Sequence, residues 1–362
     1  MKIRDIWTKL LHIPVETALV NQTKSQAFME VVLIKVITDE GLNGYGYTYT
    51  DGFGGHAIKT LIDTDIKDLL LGKDPLEVKK LSEFLLWELR QAGFAGVTVL
   101  GAAGIDLALW DIYSKAANLT ISSILGKYRD KVPMYASVAG WSGLPASEMV
   151  ARAKQLIEEK KMFGVKLQVG RETLEKDAAR IEALREALGD EIKIFIDANT
   201  ILDLPGAVRL ARRLEEYDIF WFEEPLPLRN TDGHRLLAAK TTIPLATGEN
   251  FFGIHDTDEY IRDHLVTYIQ ADVIRSGGIT EWMRIAANCD AQGIRISPHF
   301  VMEVTAQVQC CVPNSLFVEY IPWFQKHFED PVKTENGYVF ARNEPGLGLK
   351  FKDESIEKYC VR

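Results

Sequence analysis

Lys166 and Gln168 stand two positions apart in F-G-V-K-L-Q-V-G (163–170), a short apolar run. In a strand, side chains two apart point to the same face. A cation and an amide then share one face of a segment that otherwise reads as buried, which costs free energy unless both are satisfied. Other apolar runs further along also end in polar residues: Asp197 closes I-K-I-F-I-D, Glu223 and Glu224 follow I-F-W-F, and Glu249 ends L-A-T-G-E. Brought together, three carboxylates offer hard oxygen ligands only, the donor set that suits Mg2+. Alternation puts Glu223 on the face of Ile219 and Trp221, and the local pattern alone does not choose between Glu223 and Glu224 as the inward carboxylate.

The elements that must position these residues repeat along the chain. After Pro133, eight short apolar runs are each followed by a helical stretch, and the polar residue at each run's end is Ser137, Lys166, Asp197, Glu223, Glu249, Asp272, His299 or Glu319. The steps between them are 29, 31, 26, 26, 23, 27 and 20 residues, about the length of one strand, one helix and two loops. That repeat predicts an α/β fold, a parallel (β/α) barrel of the TIM type, whose active sites sit at the C-terminal strand ends. Any one acid after a strand is explained by helix capping; eight chemically able residues in register are not.

The first third reads differently. Strand-like runs at 31–38 and 44–50 flank D-E-G-L-N-G, a turn signal, so the chain opens as an antiparallel pair. From about 56 to 126 the apolar spacing is helical. The expected organisation is an α+β domain over 1–126, a barrel over 127–330 and a C-terminal segment over 331–362.

Composition excludes several function classes. Forty-two Lys and Arg against fifty-one Asp and Glu give a net charge of -9, the wrong sign for a nucleic-acid surface. No apolar run approaches the roughly 20 residues of a membrane span, and M-K-I-R-D-I-W-T-K-L has no secretory pattern, so no membrane association and a cytoplasmic location are expected. The cysteines, Cys289, Cys310, Cys311 and Cys360, show no metal-ligand spacing and read as free thiols, with Cys310 and Cys311 as small core residues.

F-I-D-A-N, W-F-E-E-P and T-G-E-N, followed by A-D-V-I-R-S-G-G and S-P-H-F, resemble the enolase superfamily, specifically its mandelate racemase subgroup. The resemblance runs over nearly the whole chain and implies that 1–126 is a capping domain completed by 331–362. It implies Mg2+ held by Asp197, Glu223 and Glu249, with the first Glu of E-E-P as ligand. His299 paired with Asp272 matches the general-base dyad, Glu319 an acid that hydrogen-bonds a substrate carboxylate, and Ser137 and Asn199 pocket positions. A small-molecule carboxylate substrate and a homo-oligomer are implied as well. Three ligand carboxylates outweigh Mg2+ by one charge, and Lys166 supplies positive charge toward an anionic substrate.

One position departs from the racemases, where the second-strand motif is K-x-K and the second lysine is a base on the face opposite the histidine. Here that position is Gln168, and an amide neither accepts nor returns a proton at neutral pH. Without a neighbouring lysine, Lys166 is expected to stay protonated. A one-base site suits β-elimination, so a sugar acid dehydratase is expected ahead of a racemase or epimerase. The stretches 20–28 and 47–55 have the polar character of a lid, with Asn21, Lys24 and Gln168 as candidate substrate contacts and Gly52, Gly54 and Gly55 as positions permitting movement.

Overall fold

The structure, a computed structural model, describes residues 1–15, 28–140 and 144–361, with the side chains of 138–140 outside that description. β1 (Ile3–Pro14), β2 (Phe28–Thr38) and β3 (Asn43–Thr50) form an antiparallel sheet in that order. β1 is an element that the sequence reading passed over. Its buried positions change parity along the strand, Ile6, Thr8 and Leu10 on one face and Leu11 and Ile13 on the other, so its period-2 signal is weak.

The helices expected over 56–126 are α1 (Gly55–Leu61), running through a π-helical turn (Ile62–Ile66) into α2 (Lys67–Leu70), then α3 (Val78–Glu88), α4 (Val97–Ala117) and α5 (Ile121–Leu125). α4 lies so close to β3 that a Cβ on Gly46 would sit 2.2 Å from the Gly104 carbonyl oxygen. Only glycine permits that contact. The expectation that no segment reaches membrane-span length needs correcting here. α4 has 21 residues and is apolar enough to span by composition, yet 89% of its most apolar window is buried within the protein. It is apolar all round because neighbours cover it all round.

The barrel strands are β4 (Lys131–Gly140), β5 (Gly164–Gln168), β6 (Lys193–Asp197), β7 (Ile219–Glu223), β8 (Leu245–Thr247), β9 (Tyr268–Ile269), β10 (Arg295–Ile296) and β11 (Val318–Tyr320). Successive strands from β4 to β10 pair in parallel, and β11 pairs back onto β4. A parallel bridge between Ile296 and Ser315 joins β10 to the residues before β11 and closes the ring. Helices follow the first seven strands in turn: α6 (Ala146–Lys160), α7 (Leu174–Leu188), α8 (Leu204–Leu214), α9 (Thr231–Ala238), α10 (Gly253–Arg262), α11 (Ile279–Ala291) and α12 (Met302–Gln309).

The eighth strand breaks the expected repeat. A 3-10 turn, Gln325–His327, follows it in place of a helix. Pro322 and Pro331 bracket that stretch and stop a helix from propagating. The chain then forms β12 (Thr334–Glu335) and β13 (Tyr338–Phe340), the latter antiparallel to the start of β4, and ends in α13 (Asp353–Tyr359) against β1. Val361 N donates to Leu10 O at 2.9 Å, fastening this tail to the N-terminal sheet.

Inside the ring, Tyr135, Phe195, Trp221 and Ala246 form a buried layer of their own, with Phe195 and Trp221 centroids 4.2 Å apart. Two residues further along their strands stand Ser137, Asp197 and Glu223. The aromatic plug is thus the floor under the strand-end residues.

Candidate active site

At the C-terminal strand ends lies a cavity of about 490 Å³. Ser137, Lys166, Gln168, Asn199, His299 and Glu319 all line it, as do Asp197 and Glu249. Ligand oxygens of Asp197, Glu223 and Glu249 lie within 4.8 Å of one another. Register explains part of this, since Gln168 pairs with Asp197 and Asp197 with Glu223 across β5, β6 and β7. These acids do not cap helices. Thr173 caps α7, Asp203 caps α8 and Asn230 caps α9.

The carboxylate cluster is buried and short of positive charge. Burial pushes Asp197 up to about 6 and Glu223 up to about 8, against the pull of Lys166. An all-oxygen donor set whose charge is unmet fits a hard divalent cation. Trp221 Nε1 donates to Glu223 Oε2 at 3.1 Å, so the plug orients one of the carboxylates. Glu224, the other candidate at that position, is also buried but turns to Asn250, whose Nδ2 donates to both of its oxygens at 3.0 and 3.2 Å.

Lys166 sits among three carboxylates, 2.8 Å from Glu223 Oε1, 2.7 Å from Glu319 Oε1 and 3.4 Å from Asp197 Oδ2. Burial opposes its charge, but these neighbours hold its pKa well above the usual lysine value. In return, and against burial, Lys166 brings Glu319 down to about 2. Glu319 also accepts from Phe300 N at 3.0 Å. Gln168 Nε2 donates to Asn199 Oδ1 at 2.8 Å, and Asn199 donates to Asp197 through its backbone N (2.8 Å) and its Nδ2 (3.0 Å). The amide on β5 is therefore part of a chain that ends on a carboxylate of the cluster.

His299 Nδ1 stands 2.9 Å from Asp272 Oδ2, and its Nε2 stands 3.6 Å from Glu249 Oε2. Burial lowers the imidazole pKa, but Glu249 and the bond to Asp272 outweigh it and carry the group up to about 9. A bound cation beside Glu249 reverses that pull. The chain leaving His299 is strained: Phe300 has φ 49° and Val301 φ 36°. Such left-handed angles in bulky residues cost about 1–3 kcal/mol each and concentrate at functional sites.

Two groups in the site are not singled out by the sequence, although Tyr49 lies within 47–55, the stretch read as a lid. Tyr49 of β3 donates its OH to Asp272 Oδ2 at 2.7 Å, and Arg275 donates to Asn250 Oδ1 at 2.8 Å and lies 3.9 Å from Glu249 Oε1. The signal for Tyr49 was the alternation of Tyr45, Tyr47 and Tyr49 on one face of β3. Asn21 and Lys24 lie outside the described residues. Gly55 was expected to permit movement, but it is packed: a Cβ there would lie 2.7 Å from Leu10 Cδ1 and 2.9 Å from Glu30 Oε2. Gly52 and Gly54 do adopt positive φ, at 91° and 99°. All four cysteines are free, and Cys289, Cys310 and Cys311 are buried.

The chain is similar to known proteins over nearly its whole length. Residues 3–126 match the mandelate racemase / muconate lactonizing enzyme N-terminal domain, and residues 148–355 match the enolase C-terminal domain-like family. An L-talarate/galactarate dehydratase of Salmonella typhimurium is 31% identical over 96% of this chain and 89% of its own length. A 3,6-anhydro-alpha-L-galactonate cycloisomerase of Streptomyces coelicolor is 29% identical, covering 99% of both chains. Among solved structures, an L-talarate dehydratase from Polaromonas sp. complexed with Mg and L-glucarate superposes with a TM-score of 0.92 at 29% identity, over 100% of this chain and 98% of that one. A racemase from Streptomyces coelicolor with bound magnesium gives 0.94 at 29% identity, over 99% and 100%. With both of its parts matched, the chain belongs to the mandelate racemase subgroup of the enolase superfamily.

Proposed function

We propose that this protein is a Mg2+-dependent acid sugar dehydratase that forms a 2-keto-3-deoxy sugar acid. The observation that carries the reading is the pairing of one imidazole–carboxylate dyad, His299–Asp272, with an amide at 168 and a lysine at 166 held charged by three carboxylates. Asp197, Glu223 and Glu249 would hold the metal, which when bound supplies Lewis-acid stabilisation of negative charge on the substrate carboxylate.

His299 Nε2 takes the proton from the carbon next to the carboxylate. Asp272 fixes the tautomer that leaves Nε2 free for this, because the Nδ1 proton is engaged at 2.9 Å. Lys166 stays protonated and meets the charge that develops on the carboxylate end. The imidazolium then returns its proton to the departing 3-hydroxyl, the C–O bond breaks, and water leaves. The resulting enol tautomerises to the 2-keto acid, so the net change is loss of one water. Racemisation asks for a second base on the opposite face. Lys166, locked into charge by its neighbours, is poorly suited to that role, and Gln168 is spent on Asn199.

Galactarate, talarate and other sugar acids incubated with the protein and Mg2+ should give 2-keto acid with at least one of them. Chelation should abolish product formation and added Mg2+ restore it. Recovery of substrate with inverted configuration and no keto acid would displace this reading in favour of an epimerase.

A further inference from the structure

We infer that Tyr49, which reaches the barrel from the N-terminal sheet, is a positioning residue for the His299–Asp272 pair. Three observations lead there. First, Tyr49 is buried and lines the cavity, yet its strand belongs to the other part of the chain, 223 residues before Asp272. Second, its OH donates at 2.7 Å to Asp272 Oδ2, the same oxygen that holds His299 Nδ1 at 2.9 Å. The other oxygen, Oδ1, is already taken by the backbone N–H groups of Ile274 (2.7 Å) and Arg275 (2.9 Å). A carboxylate offers about four lone-pair sites, and here four donors fill them. Third, the phenol oxygen lies 3.4 Å from His299 Nδ1 itself, and the Tyr49 ring packs edge-on against Phe300 with centroids 5.0 Å apart.

A buried phenol needs some partner, and a merely structural tyrosine would be satisfied by any acceptor. This one occupies the second lone pair of Oδ2 and leaves His299 a single direction in which to donate. The imidazole is thereby held with Nε2 toward the cavity. Docking of β3 on the barrel is then part of assembling the base, and the N-terminal sheet contributes to the proton-transfer step as well as to covering the site.

The inference rests on the dehydratase reading only for its kinetic arm. Tyr49→Phe removes one hydroxyl and keeps the ring. Loss of an outer partner of a working side chain typically costs about 10- to 100-fold in activity, and that loss should fall on kcat and on α-proton exchange, with KM and Mg2+ affinity unchanged. The second arm needs no substrate: in protein labelled with nitrogen-15 at histidine, the His299 ring signals, assigned by their absence in His299→Asn, should shift in Tyr49→Phe. A shifted His299 signal with lowered kcat and unchanged KM supports the assignment. An unshifted signal overturns it, whatever the kinetics. A shifted signal with unchanged kcat overturns it too, since the contact would then be structural only. If no sugar acid turns over in the wild type, the dehydratase reading fails while the spectrum still decides the Tyr49 contact.

Discussion

Replacing Lys166 by methionine should destabilise the metal-free protein severely, and Mg2+ should repair a large part of the damage. Lys166 is about 6% exposed and touches three carboxylates, two of them at 2.8 Å or closer. Among the described residues, Glu223 and Glu319 pair with no other cation. Removing one partner of a buried ion pair leaves an uncompensated charge and costs about 3–5 kcal/mol. The sign of the pH effect follows from the same contacts. Without the ammonium, Glu223 and Glu319 hold protons more tightly in the folded chain than in the unfolded one. Raised folded-state pKa values give stability that is present below the unfolded carboxylate range and lost as pH rises. The deficit should therefore already be present near pH 5, because Lys166 holds Glu319 down at about 2 and that stabilisation is lost with it, and it should grow above pH 8, where Glu223, pushed up to about 8 even with the lysine present, must also ionise. Mg2+ at a hundred times its dissociation constant returns about 2.7 kcal/mol. It should stabilise the variant more than the wild type, because a repelling charge beside its ligands is gone. Urea unfolding of both proteins, with chelator and with Mg2+, measures every part of this. A metal-free Lys166→Met protein within about 1 kcal/mol of wild type at pH 8 would refute the charge-cage reasoning, since breaking a buried pair should cost several times that.

Two further predictions rest on other contacts. Asn199→Ala should weaken Mg2+ binding by about 10- to 100-fold, as loss of an outer-shell partner of a ligand does, and Gln168→Ala should weaken it less, because Gln168 acts on Asp197 only through Asn199; calorimetric titration of metal-stripped protein with an unchanged affinity in Asn199→Ala would speak against the relay. His327 is buried against the tail, with Ser355 Oγ 3.0 Å from its Nδ1, and burial together with Lys326, Lys352 and Lys358 lowers its pKa to about 4. A lowered histidine pKa gives stability that is full above the unfolded value and lost as pH falls toward 4, so His327→Gln should flatten the decline in stability between about pH 6.5 and 4, and parallel curves for the two proteins would contradict it.

How much of this was legible in the sequence varied with the range of the contact. The strand ends were legible because a parallel barrel forces one chemistry-bearing residue per repeat to the same end, so the steps from Ser137 to Glu319 carried the geometry with them. The eighth unit was misread because a strand followed by Pro322 still begins like its predecessors. α4 was misjudged because Asp106 and Asp111 break its apolar run while both are buried, Asp106 receiving Thr280 and Asp111 receiving Leu347 N. Gln168 posed a question that sequence could not close, since its partner Asn199 is set by register between β5 and β6. Tyr49 fell inside 47–55, read as a lid stretch, but its partner was not legible. Its place beside Asp272 depends on how the N-terminal sheet packs on the barrel, which no local pattern encodes.

The central claim is that a single base on one face of the substrate starts the reaction. Wild type and His299→Asn should be incubated with a turned-over sugar acid and Mg2+ in D2O, following the α-proton by NMR. Loss of a general base costs about 10²–10⁴-fold, so exchange and keto acid formation should both fall by at least that factor in the variant, with Mg2+ affinity retained. Continued exchange of the α-proton in His299→Asn would reveal a second base on the opposite face and contradict the one-base dehydratase.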